Sequence, residues 1–237
     1  MTLFAEALAW LTDTANWVGG GGIPARMGQH LLISLATVVI AGAMALPAGI
    51  LIGHTRTGAG MIGALTGAAR AIPTLGLLTL FGLALGIGIT APLLALVVLA
   101  IPSLLAGAYA GVQAIDPAIP QAARAIGMSP RQVITAVELP LAMPVLIGGI
   151  RAATLQVVAT ATLAAYTADV GLGRFLFIGL KSRDYAQMLG GALLVIVLAL
   201  GMELVLSAVQ RSAARRAAPS APTRGAASYQ TSSSATT

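Results

Sequence analysis

The residues able to do chemistry in this chain are few, and one polar group of them stands out against apolar surroundings. Between Ile119 and Pro140 the sequence reads IPQAARAIGMSPRQVITAVELP, with Gln121, Arg124, Arg131, Gln132 and Glu138 in one short stretch. Elsewhere ionisable groups are scattered. The absence of cysteine excludes disulfides, thiol chemistry and iron–sulfur ligation. His30 and His54 lie at opposite ends of one long apolar run. A helix crossing a bilayer would hold them too far apart to share a metal ion. With a single lysine, Lys181, and no G-x-x-x-x-G-K run, the chain lacks a phosphate-gripping loop. The chemistry left to the 119–140 stretch is recognition rather than catalysis.

Its punctuation defines two short helices. Asp116 is a suitable N-cap with Pro117 at the first helical position, and Pro120 falls within the first turn, where it breaks little. The helix through Gln121, Ala122, Ala123, Arg124, Ala125 and Ile126 should end at Gly127, which adopts a left-handed conformation cheaply. Ser129, Pro130 and Gln132 then supply an S-x-x-Q capping box for a second helix reaching Glu138. Leu139 precedes Pro140 and is expected to leave the helical conformation, giving a break before a new membrane span. Val133, Ile134 and Val137 form an apolar side able to pack on neighbouring spans. Ala122 and Ala123 leave the first helix smooth, a shape suited to a groove on another protein. The plainer alternative is an ordinary structured connection between two spans.

The elements that must position this stretch are read from composition. The 237 residues are 57% hydrophobic and 8% charged, with mean hydropathy +0.92. A soluble domain carries about a quarter charged residues, so the fold class is an all-α polytopic membrane protein. Abundant glycine and alanine suit close helix packing in lipid. Apolar runs near 29–53, 60–89, 91–113, 141–167 and 187–210 are each long enough to cross about 30 Å of hydrocarbon, giving about five spans. Arg70 and Pro73 interrupt the second run, whose membrane core is then 72–88, with 58–70 near the surface. Residues 1–28 read as an interfacial amphipathic segment with Trp10 and Trp17 as anchors, followed by a flexible hinge at Gly19–Gly22. Residues 29–210 are expected to form the transmembrane domain, with its polar loop at 114–140, and 211–237 read as a disordered tail.

Arginine placement sets the expected sidedness. Arg56, Arg124, Arg131, Arg211, Arg215, Arg216 and Arg224 fall on one side of the spans, and Arg26, Arg174, Lys181 and Arg183 on the other. The first side is expected to be cytoplasmic, with the N-terminus outside and the C-terminus inside. The net charge of +6 reports this topology, and no basic soluble surface for nucleic acid is evident. Arg70, Arg151 and Glu203 lie in or beside apolar runs, where ionisable groups are functional candidates by default. Snorkelling toward the span ends makes structural roles the favoured reading, with Arg151 the best exception.

From Gln121 to Pro140 the chain resembles the EAA loop of binding-protein-dependent ABC importer permeases: E-A-A, three residues, G, nine residues, I, one residue, L-P. Ala122, Ala123, Gly127, Leu139 and Pro140 match in register, while Gln121 replaces the family's Glu and Val137 its Ile. Gln121 keeps a side-chain acceptor but loses the charge. The stretches AIPTLGLLTLFGLALGIG (71–88), 116–154 and GLGRFLFIGL (171–180) are similar to permeases for glycine betaine, proline betaine, carnitine and choline. The resemblance covers roughly residues 30–210.

The resemblance implies a type I importer permease fold in the cell membrane. It also implies a cytoplasmic ATPase docked at Gln121, Ala122, Ala123, Arg124, Gly127, Glu138, Leu139 and Pro140, with ATP and Mg²⁺ held by that partner and no cofactor on this chain. An extracytoplasmic substrate-binding protein and a second permease, identical or related, complete the implied assembly. Tyr109, Arg151 and Tyr166 are candidates for the translocation pathway, with core or interface packing favoured for the two tyrosines. Quaternary ammonium groups bind well in aromatic cages, which this chain has few residues to build. The competing class is a stand-alone secondary transporter or channel for a small solute. That class would be expected to place carboxylates mid-membrane, and Glu203 is the only acidic residue inside an apolar run.

Overall fold

The computed structural model describes residues 2–217, which are helical with no strand among them. Helix α1 (Leu3–Thr12) and a 3₁₀ turn (Thr14–Trp17) precede α2 (Ile23–Thr55). Then come α3 (Ala59–Ala71), α4 (Thr74–Leu85), α5 (Thr90–Gln113) and the short α6 (Ala118–Ala125). Next, α7 (Pro130–Gln132), a π-helical turn (Val133–Glu138) and α8 (Leu139–Thr160) run on without interruption. A 3₁₀ turn (Ala161–Tyr166), α9 (Gly173–Ser182) and α10 (Tyr185–Ala217) complete the order. Among the described residues four helical rods are long and apolar enough to span a membrane, and a fifth exists if α3 and α4 count as one span bent by 80°. Pro73 explains that bend: Ile72 before it is extended (φ −73°, ψ 120°), as the proline ring requires.

Helices α2, α5 and α8 form the centre. Ala41, Ala45, Val97, Ala100, Leu104, Leu105, Ala153 and Val157 make its main buried cluster. Small residues let these helices touch through backbone: a Cβ on Gly149 would lie 2.6 Å from Gly107 Cα. Such contact is how spans associate where lipid removes the hydrophobic drive. On the outside, Leu35 and Val39 of α2 and Val197, Leu200, Leu204 and Val205 of α10 are exposed, a belt suited to acyl chains rather than water.

Several expectations change. No break precedes Pro140: Leu139 is helical (φ −61°, ψ −47°) and its N–H bonds Ile134 O, five residues back. Pro140 has no N–H to offer Ala136, and the widened turn absorbs that loss. The expected disorder from Arg211 fails for 211–217, which extend α10; alanine and arginine are strong helix formers. The remainder of that tail, 218–237, lies outside the described residues. The run expected as a flexible hinge closes as a turn, Gly22 N donating to Gly19 O at 3.1 Å. A Cβ on Gly22 would meet Val18 O at 2.7 Å, so glycine is needed there. Trp10 points inward, edge-on to Phe175 at 5.1 Å and against Gly190. Trp17 is 47% exposed, its indole N–H given to Leu11 O at 2.7 Å.

Candidate functional site

Helix α6 stands at one end of the bundle and is stopped chemically at both ends. Asp116 Oδ1 accepts from Ala118 N at 2.9 Å. At the other end Gly127 (φ +93°) donates to Arg124 O at 3.0 Å and Met128 N donates to Ala123 O at 3.2 Å. That crossed pair is a Schellman motif, which needs the left-handed residue at Gly127. Two residues on, Ser129 and Gln132 form the capping box read from sequence. Ser129 N donates to Gln132 Oε1 at 2.8 Å, and Gln132 N donates to Ser129 Oγ at 3.4 Å.

The two faces of α6 differ. Pro120 and Ala123 are buried against the bundle, while Gln121, Ala122, Arg124 and Ala125 are exposed. Ile119 and Ile126, 43% and 82% exposed, flank Ala122 on the open side. Positions 119, 122 and 126 share one helical face, so the projecting surface is a smooth apolar stripe. The two isoleucines are not singled out by the sequence motif, although their spacing about Ala122 carries the signal. Gln121 makes no side-chain hydrogen bond among the described residues, leaving its amide available.

Of the eight loop residues, Glu138 is the buried ionisable one. It is 2% exposed, in the π turn, and its Oε2 lies 2.6 Å from His54 Nδ1. Arg124 Nη2 approaches the other ring nitrogen of His54 at 3.4 Å. Arginine only donates, so Nε2 of His54 is the acceptor and Nδ1 carries the proton toward Glu138. Glu138 is thus a support beneath α6 and not part of its open face. Leu139 is half-buried, and the exposed Pro140 borders a cavity of about 740 Å³ with Leu141, Met143 and Ile147 of α8 and Ala208, Val209 and Ser212 of α10.

The three pathway candidates are not brought together. Tyr109 packs against the central cluster. Tyr166 is exposed, 5.9 Å from the Phe177 ring, and lines a pocket of about 290 Å³ with Thr79, Gly82 and Ile87. Arg151 is fully engaged between α8 and α10. Its Nε donates to Glu203 Oε2 at 2.7 Å, Nη2 donates to Glu203 Oε1, and Nη1 donates to Gln210 Oε1 at 2.9 Å. At the bundle's opposite end Asp169 joins Arg26 (2.8 Å) and Arg174 (3.0 Å), fixing the loop before α9. His30, fully buried, contacts Val158 O at 2.9 Å through Nε2 and accepts from Leu172 N at 3.3 Å, a structural tie. No cluster of three or more metal-ligating side chains occurs among the described residues.

The sequence model of the family described as "Binding-protein-dependent transport system inner membrane component" matches residues 45–219. The chain belongs to that family. It is the multi-pass permease subunit of an ABC importer, not itself catalytic. Among curated relatives it is 32% identical over 192 residues to the choline transport system permease protein OpuBB of Bacillus subtilis, covering 81% of this chain and 88% of that protein. The carnitine transport permease protein OpuCB of Listeria monocytogenes is 34% identical over 191 residues, with the same coverage. Among solved structures, the inward-facing MetNI methionine ABC transporter aligns with TM-score 0.71 at 21% identity, covering 90% of this permease and 99% of that chain. An amino acid ABC transporter crystallised with histidines gives 0.64 at 19% identity, covering 90% and 100%. The fold is therefore that of ABC importer permeases.

Proposed function

We propose that this permease imports a quaternary ammonium osmoprotectant, in the class of glycine betaine, choline and carnitine, by alternating access. The observation that carries the substrate class is the similarity over four fifths of the chain to permeases named for those solutes. A separate ATPase grips the stripe of Ile119, Ala122 and Ile126 on α6, which faces the cytoplasm. A substrate-binding protein meets the opposite end, near α9, and a second permease completes the pore. The basic residues Arg56, Arg124 and Arg131 at the α6 end support that sidedness. High-affinity recognition belongs to the binding protein, because the spans offer few aromatic faces to a cation. The one acidic group inside an apolar run, Glu203, is occupied by Arg151, which disfavours a proton- or sodium-coupled carrier.

The test is reconstitution of the permease in vesicles with its genetically adjacent ATPase and binding protein. Labelled glycine betaine, choline and carnitine are each offered, with methionine as control. ATP-dependent uptake of at least one of the three, and not of methionine, is expected. Uptake that persists without the ATPase would sink the importer assignment for this chain, and uptake of methionine alone would sink the substrate class.

A further inference from the structure

The last turn of α2 touches the polar loop at its entry, its middle and its exit. At the entry, Arg56 holds a left-handed backbone (φ +54°) and gives Nη2 to Ile115 O at 2.9 Å. Gln113 Nε2 donates back to Gly53 O at 3.2 Å. A Cβ on Gly53 would meet the Val112 side chain at 2.7 Å, so the α2 backbone packs directly on α5 here. In the middle, Arg124 of α6 approaches His54 Nε2 at 3.4 Å. At the exit, His54 Nδ1 meets Glu138 at 2.6 Å. The imidazole side chain is 11% exposed and the carboxylate 2%, so this second contact is shielded from water.

From this geometry we propose that His54 is a positioning residue that yokes α6 to both α2 and the α7–α8 rod. Motion imposed on α6 is carried into the spans through one imidazole. The inference rests on the reading of α6 as the ATPase-docking helix. Its chemistry uses both nitrogens for different purposes. The protonated Nδ1 satisfies a carboxylate that would otherwise be buried with no partner from another helix. The bare Nε2 receives the guanidinium of Arg124. The three side chains form one continuous series of contacts across three elements, so none can shift alone without unpairing its neighbour. Val133, five positions before Glu138 in the π turn, is fully buried as well. An ordinary loop support would need only one of these contacts.

The experiment compares solute imported per ATP hydrolysed in the reconstituted importer for the wild type, His54→Ala, His54→Asn and Glu138→Gln. Asparagine keeps a donor near the Nδ1 position, and the amide of Glu138→Gln keeps an acceptor. His54→Ala is expected to lower the ratio roughly tenfold, the loss expected of one charge-assisted hydrogen bond, while ATP hydrolysis continues. His54→Asn should recover most of it, and Glu138→Gln should fall between. Should His54→Ala fail to assemble, the Asn and Gln variants carry the same test. Equal falls in uptake and hydrolysis, or an unchanged ratio in all three variants, would overturn the yoke while leaving docking intact. Co-purification of the ATPase with the wild type and with Ala122→Trp separates the two ideas. If the ATPase binds both equally, the docking reading fails and the yoke falls with it.

Discussion

Replacing Gly127 separates a backbone role from a contact role at the end of α6. The residue sits at φ +93°, and a Cβ built there meets nothing within 4 Å. Space is therefore not what selects glycine; the conformation is. An L-residue in the left-handed region costs about 1–2 kcal/mol, and Gly→Ala returns about 0.4–1 kcal/mol by restricting the unfolded chain. The net for Gly127→Ala is about 1 kcal/mol, roughly a fivefold shift toward the open end of the helix. That opening breaks the bonds from residue 127 to Arg124 O and from Met128 to Ala123 O. Hydrogen exchange at amides 127 and 128 in detergent or nanodiscs should accelerate about fivefold. Affinity for the ATPase should weaken by no more than that factor. Gly127→Asn is the decisive partner variant, since asparagine tolerates the left-handed cap though larger than alanine. Asn is expected to be milder than Ala by both measures. If harm instead rises with side-chain size, Ala then Asn, the site is a contact surface and the conformational reasoning is wrong.

At the α5–α8 contact, Gly149→Ala must push two backbones apart by about 1 Å and should cost about 1–3 kcal/mol. Gly201→Ala in α10, with open space around it, should be neutral or stabilising by up to about 1 kcal/mol. Thermal unfolding of the two variants in one detergent checks the contrast. Ser129→Ala removes half of a capping box and should cost about 1 kcal/mol; exchange at amides 131 and 132 locates the loss in the first turn of α7. Glu203→Gln keeps an acceptor for Arg151 and should leave uptake per assembled complex close to the wild type. Abolished uptake with normal assembly would revive the carrier alternative.

Local chemistry in the sequence predicts local structure well. The cap at Ser129 and Gln132, the stop at Gly127 and the Asp116 bond to Ala118 all depend on residues within a few positions of one another, and each is present. Long-range pairing is out of reach. His54 and Glu138 are 84 residues apart, and Arg151 and Glu203 are 52 apart. In the sequence each is an isolated polar residue at a span end or inside one. Trp10 is misplaced for a related reason: an apolar helix face does not say whether lipid or α10 will cover it. The tail is misread because serine- and alanine-rich composition near 220–237 colours 211–217, where alanine and arginine continue the helix.

Pro140 is the instructive misreading, because the rule applied there is sound and another effect overrides it. A proline forbids the regular bond to Ala136 and disfavours helix at Leu139. Breaking the helix is one solution, and widening it is another. The chain takes the second, and burial shows what the wider turn achieves. Val133 and Glu138, five positions apart, are both buried. On a regular helix such positions point about 140° apart, so both could not face the same neighbours. The π turn therefore brings Glu138 round to His54 while leaving α7 and α8 one rod, about 45 Å from Pro130 to Thr160 at 1.5 Å per residue. A rod transmits tilt where a broken joint would not. Pro140→Ala restores the missing N–H and allows regular geometry, which would turn Glu138 away from His54. The folded state should melt within a few degrees of the wild type, because one backbone hydrogen bond is gained as one side-chain contact is lost. Solute imported per ATP should nonetheless fall, as for His54→Ala. Wild-type coupling in Pro140→Ala would mean that the widened turn is held by Val133 and Glu138 themselves, and that the proline only tolerates it.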